Sequence, residues 1–243
     1  MRVIFVFVLM LTLISCKKSE NQKAQVDFNF QTSFIDAEYS FAEYFTNGDG
    51  IKIRIELLQF YIADVRFIDK KGKEIQADDI ALVKIDQSGS GSMSVKVPAG
   101  NYTSLKFGIG VPQEMNEADP SEYNEADHPL STTQNTYWGM NSMYRFVMID
   151  GKYDLTGDGT DDGSFSYHTG YNDCYREKEF LMDFDFQRKE NYTYNLMIDL
   201  SKLFYVSGSM INVQTESNFH GDYSQIELAT RLSNNFSGCL TIQ

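Results

Sequence analysis

Strict alternation of apolar and polar residues, repeated along most of the chain, narrows its fold more than any other feature. Val26, Phe28 and Phe30 fall on one face of a strand, and Ile51, Ile53 and Ile55 on one face of another, with Lys52, Arg54 and Glu56 opposite. Leu105, Phe107, Ile109 and Val111 repeat the pattern, as do Tyr192, Tyr194, Leu196, Ile198 and Leu200. Phe180, Met182, Phe184 and Phe186 share a face, with Asp183 and Asp185 turned away. A period of two puts successive side chains on opposite faces of an extended backbone, so each segment offers one face to a core. Helical spacing appears once, at Leu228, Leu232 and Phe236. With 243 residues, 42 % of them apolar, and no repeat or linker, the expectation is an all-β chain. It should form a single antiparallel β-sandwich with long loops and one short C-terminal helix.

The stretches between these segments set the expected connections. Leu57–Asp69 reads as a largely buried strand that ends in the turn Lys70-Lys71-Gly72. Gln87–Ser94 is rich in Gly and Ser and reads as a loop, and Pro98–Tyr102 as a turn. Val111–Gln134 is long and polar, with prolines at 112, 120 and 129, and loops of that length in compact domains are commonly functional. Tyr144–Asp150 and Phe165–His168 are expected to be neighbouring strands joined by an acidic turn.

Residues 1–15 hold Arg2 and the apolar run Val3–Ile14, too short for a permanent membrane span, and end in Leu13-Ile14-Ser15 before Cys16. That ending resembles a bacterial lipobox, in which the signal is cut before a cysteine that then carries acyl chains. The expectation is a lipoprotein signal over 1–15, lipidation at Cys16, a flexible tether over 16–25 and a folded domain over 26–243. The protein would be lipid-anchored in the cell envelope, with the outer membrane the expected seat. Loss of Arg2 leaves 20 basic against 34 acidic residues, a formal charge of −14, which excludes a phosphate-binding surface for nucleic acid. Cys174 and Cys239 remain, and in an oxidising compartment they are candidates for a disulfide.

His128–Gly170 concentrates the scarce, chemically capable side chains: two of the three histidines, His128 and His168, and the only tryptophan, Trp138. Imidazole suits copper and zinc, and strand-like runs between these residues allow them to fold together. His168 ends the run Phe165-Ser166-Tyr167-His168, where a strand meets a turn, and His128 precedes Pro129 at the close of the long loop. The competing view is that each histidine only bonds a backbone carbonyl. His220, in Asn218-Phe219-His220-Gly221-Asp222, is a reserve ligand.

Several stretches resemble the MbnP-like family of bacterial copper-binding proteins. They are LQFYIADVRFID (58–69), VPAGNYTSLKFGIGVP (97–112), HPLS (128–131), YWGMNSMYRFVMIDG (137–151) and FSYHTG (165–170). The resemblance implies a β-sandwich and a copper site made from two histidines and a kynurenine, the product of tryptophan oxidation by a dihaem peroxidase-like partner. Carried over, it puts copper on His128 and His168, with Trp138 or its kynurenine completing the site. Kynurenine offers an aryl amine and a carbonyl where indole offers no lone pair. Where many relatives have W-x-W, this chain has Trp138-Gly139-Met140, and the Met140 thioether is an alternate soft ligand for Cu(I).

The turn Asp154–Asp162 approximates the first half of an EF-hand loop, so Asp154, Thr156, Asp158, Asp161 and Asp162 are candidate calcium ligands. The twelfth position holds Phe165 instead of a bidentate acid, and a hairpin turn is the competing reading. No nucleophile–base order and no phosphate-cradling glycine loop is present, so no enzyme is specified. The leading expectation is thus an exported, lipid-anchored copper-binding protein used in storage, delivery or homeostasis. A calcium-steadied adhesion or glycan-binding sandwich is the alternative, and a copper redox enzyme ranks third.

Overall fold

The structure, a computed structural model, describes residues 23–35, 37–139 and 142–243. The lipobox-like ending, the expected lipidation residue Cys16 and the alternate ligand Met140 therefore lie outside the described residues.

The described residues form thirteen strands: β1 (Lys23–Phe34), β2 (Ala37–Glu38), β3 (Phe45–Thr46), β4 (Lys52–Asp69), β5 (Glu74–Lys84), β6 (Ser90–Pro98), β7 (Gly100–Ile109), β8 (Val147–Asp154), β9 (Gly163–His168), β10 (Arg176–Phe186), β11 (Asn191–Asp199), β12 (Asn218–Phe219) and β13 (Leu240–Ile242). They assemble as an all-β sandwich of two sheets. In the first, β1 is flanked by β11 and β6, and β13 extends it beyond β11. The second is organised on the long strand β4, which pairs with β8 over Lys52–Phe60 and with β7 and β5 over its later residues. It continues outward through β10 on β7 and through β9 and β12 beyond β8.

Two pairings are parallel, β1 with β11 and β9 with β12, so the sheets are mixed rather than wholly antiparallel. Parallel neighbours cannot be joined by a tight hairpin, and the chain between each pair is accordingly long. Strand β1 begins at Lys23, inside the stretch read as tether, because Gln25 already pairs with Asn191 and Lys96. Ser90–Ser94 is likewise strand rather than loop. Its serines face outward while Met93 and Val95 are buried, and backbone pairing with β1 outweighs the low strand preference of Gly and Ser. Glu74–Lys84 had no separate expectation; its mixed burial lacks the clean alternation of the other strands.

The core is rich in aromatic rings that meet edge to face. Phe67 packs against Phe184 at 5.2 Å and Phe186 at 5.1 Å, and Phe60 against Phe30 at 5.5 Å. The C-terminal helix Ile226–Cys239 buries Leu228, Leu232 and Phe236, with Phe236 5.0 Å from Phe60. Each such ring contributes about 1.5–3 kcal/mol on full burial. Cys174 and Cys239, the candidate disulfide pair, are both buried and both free in the structure. Cys239, near the end of the C-terminal helix, donates its thiol hydrogen to the Asn235 carbonyl one turn back.

Candidate metal centre

Alternation decides which side chains of β8, β9 and β12 meet. Phe165 and Tyr167 point into the core, so Ser166 and His168 share the outer face of β9. On β8 Val147 and Ile149 are buried, and Met148 and Asp150 take the outer side. Register then pairs Met148 with His168 and Asp150 with Ser166. Parallel pairing of Asn218 with Ser166 and Phe219 with Tyr167 carries the next residue, His220, alongside His168. The two imidazole rings lie 4.9 Å apart, with their planes at 32°.

One hydrogen-bond network joins these groups. Ser166 Oγ donates to Asp150 Oδ1 at 2.5 Å, and His168 Nε2 is 2.9 Å from the same oxygen. His220 Nε2 is 2.7 Å from Ser166 Oγ, and His168 Nε2 is 3.4 Å from it. An Arg145 guanidinium N–H reaches His168 Nδ1 at 3.5 Å. Because Arg145 can only donate and the Asp150 carboxylate only accepts, His168 is assigned Nδ1 as acceptor and Nε2–H as donor; with the single Ser166 hydrogen given to Asp150, His220 donates from Nε2 to Ser166 Oγ. Burial raises the Asp150 pKa, but the bonds from His168 and Ser166 outweigh it and hold the carboxyl below its ordinary value. Burial, with repulsion from the cationic side of the cluster, lowers the His220 pKa.

Trp138 lies over this cluster. The short hairpin Thr136–Arg145 is closed by Trp138 N–H to Met143 O at 2.7 Å and Arg145 N–H to Thr136 O at 2.8 Å. It leaves the indole 37 % exposed, 5.7 Å from His220 and 6.4 Å from His168 in edge contacts. The Arg145 guanidinium covers the indole at 4.5 Å, a cation–π contact. Gly170 makes the close approach possible, since a Cβ there would come within 2.5 Å of the Ser142 side chain. His168 is 9 % exposed while His220 faces solvent, so the cluster opens outward on one side.

His128 is held elsewhere. Its ring stacks on Tyr123 at 4.8 Å and its Nδ1 accepts the Leu130 N–H at 3.1 Å, a turn-stabilising role inside the 111–134 loop. The structure thus joins Trp138 and His168, brings in the reserve residue His220, and places His128 among loop contacts. Asp150, Ser166 and Arg145 were missed: alternation in FSYH does put Ser166 on the face of His168, whereas Asp150 meets it only through the β8–β9 register and Arg145 only through the hairpin.

The donor set, two imidazole nitrogens beside a carboxylate, suits a borderline transition-metal ion such as copper or zinc. Among the described residues no three or more His, Cys, Asp or Glu side chains stand as a finished cage. His220 meets the carboxylate only through the Ser166 hydroxyl.

The acidic turn does not assemble as a calcium loop. Asp154 accepts the Gly157 and Gly159 N–H groups at 2.6 and 2.8 Å, Asp158 the Thr160 N–H and Asp162 the Leu155 N–H. Asp161 pairs with Arg54 and Tyr44, and Thr156 Oγ1 donates to Asp154. The Asp154, Asp158 and Asp162 carboxylates are spent on closing the turn itself, as Asp side chains do in Gly-rich hairpins.

Comparison with known proteins follows the same lines. The sequence profile described as MbnP matches residues 23–224. A solved structure, MbnP from Methylosinus trichosporium, shares the fold at a TM-score of 0.51 and 16 % identity, over 74 % of this chain and 77 % of that one. No curated protein matches. With all but the C-terminal helix and last strand inside the match, the chain belongs to the MbnP family.

Proposed function

We propose that this is an exported protein, anchored through an acylated Cys16, that binds copper at the His168–His220 centre for storage or handover at the cell envelope. The observation that supports this best is the convergence of two imidazole Nε2 atoms beside the only tryptophan, in a member of a family whose resemblance implies copper. His220 takes the ligand role first given to His128. A bound copper ion would supply soft, redox-capable Lewis acidity. His168 and His220 would bind it through Nε2, and Arg145 holds Trp138 over both rings. Oxidation of Trp138 to kynurenine by a dihaem peroxidase-like partner, which the resemblance implies, would add a nitrogen donor that indole lacks.

Because Trp138 is the sole tryptophan, its fluorescence reports on the centre without a label. Copper titration should quench it, with about one ion per chain for a two-histidine site. His168→Ala with His220→Ala should abolish both signals, and His128→Ala should leave them. Full copper binding by the double variant would refute the site, and loss on His128→Ala would restore the original ligand pair. Peptide mass over Trp138 from the native host tests the oxidation, seen as one carbon lost and one oxygen gained. Protein from that host without copper and with intact tryptophan would make the sandwich a surface binding module instead.

A further inference from the structure

Asp150 shares its Oδ1 between His168 Nε2 at 2.9 Å and the Ser166 hydroxyl at 2.5 Å. Two donors bound to one ion at about 2.0–2.2 Å with an angle of about 90–110° are about 2.8–3.6 Å apart. The His168–Asp150 separation therefore already has the spacing of adjacent ligands. An ion can enter between them once the His168 proton moves from Nε2 to Nδ1, which opens the 3.5 Å Arg145 contact and leaves Nε2 a free lone pair. His220 Nε2 is one hydroxyl away, hydrogen-bonded to Ser166 Oγ at 2.7 Å. Ser166 touches all three donor groups and stands between them.

From this geometry we infer that Asp150 is a ligand: the centre binds its ion through His168 Nε2, His220 Nε2 and the Asp150 carboxylate, with Ser166 Oγ holding the three together until the ion displaces it. The inference rests on the copper site proposed above and adds its charge type. An anionic oxygen donor favours a divalent ion, whereas a site of imidazoles and thioether favours Cu(I). Arg145 sets its guanidinium against His168 and Trp138, so Asp150 is the group that offsets a cation already present. The predicted selectivity is for Cu(II), and secondarily Zn(II), over Cu(I). The carboxylate thereby fills the coordination place that an unmodified Trp138 cannot.

The test measures Cu(II), Zn(II) and Cu(I) affinities of the full chain by chelator competition, with Cu(II) electron paramagnetic resonance, for the wild type and for Asp150→Asn, Asp150→Glu and Ser166→Ala. Asp150→Asn should weaken Cu(II) and Zn(II) at least tenfold and Cu(I) less than threefold, and it should shift the resonance toward a more nitrogen-dominated signal. Asp150→Glu should recover part of the Cu(II) affinity, and Ser166→Ala should retain it within threefold. Equal loss for all three ions in Asp150→Asn would make Asp150 only a support for His168 and overturn the inference. A tenfold Cu(II) loss in Ser166→Ala would put the hydroxyl in the ligand's place and overturn it too. If the double histidine variant still binds copper, the site itself is wrong. If that variant loses copper while Asp150→Asn keeps Cu(II), only the carboxylate's role fails. Unfolding midpoints of each variant separate these losses from misfolding.

Discussion

Tyr61→Phe is the most informative stability test, because one phenol connects the core strand β4 to the loop and hairpin that deliver Trp138. Tyr61 is fully buried; its hydroxyl donates to the Pro129 carbonyl at 2.8 Å and is 2.6 Å from Thr136 Oγ1. Burial pushes the phenol pKa well above its ordinary value, so it stays a neutral donor at any working pH. Removing the oxygen leaves Pro129 O without this donor and Thr136 Oγ1, also buried, without its partner. Each buried orphan costs roughly 1–3 kcal/mol. Relaxation of the loop recovers part of that, so the expected loss is about 2 kcal/mol. At roughly 2–4 °C per kcal/mol for a domain of this size, Tm should fall by about 4–8 °C. Circular dichroism gives the global transition and Trp138 fluorescence the hairpin. Adding Thr136→Val to Tyr61→Phe removes one orphan, so the double variant should recover part of the loss. A Tm within about 1 °C of wild type for Tyr61→Phe would refute the argument.

Two further outcomes follow from other elements. Backbone N–H groups of Gly157 and Gly159, helped by Lys52, offset the burial of Asp154 and hold its pKa below 3.8. A depressed carboxyl stabilises the fold fully above its unfolded value and loses that contribution as pH falls through the lower folded value. Stability should thus be flat near neutrality and fall below about pH 4, more shallowly in Asp154→Asn; an unchanged acid limb would contradict this. Burial raises the pKa of both the Cys174 and Cys239 thiols, so neither should react with a thiol reagent in the native protein, and both should react on unfolding. A mass shift of two hydrogens between reduced and non-reduced chains would show a disulfide instead.

The sandwich was legible because alternation is a local property. Phe28 and Phe30, or Phe184 and Phe186, point inward whatever strand lies beside them. The C-terminal helix was legible for the same reason, from Leu228, Leu232 and Phe236. Gly/Ser content misled at Ser90–Ser94, where strand pairing rather than residue preference settles the backbone. The acidic turn shows the limit of a motif: the right residues at nearly the right spacing hydrogen-bond to their own backbone.

By itself the sequence determined the fold class and the inward faces of most strands, and it singled out two residues of the proposed centre, Trp138 and His168. The tertiary structure alone decided the third. Choosing between His128 and His220 depends on strand register across more than fifty residues, and β12 meets β9 in parallel only after the intervening chain has crossed the sheet. That pairing sets His220 beside His168, while a stack on Tyr123 and a bond from the Leu130 amide keep His128 in its loop. Local periodicity carries no information about which distant strands become neighbours, because the free energy that chooses them resides in the packed core.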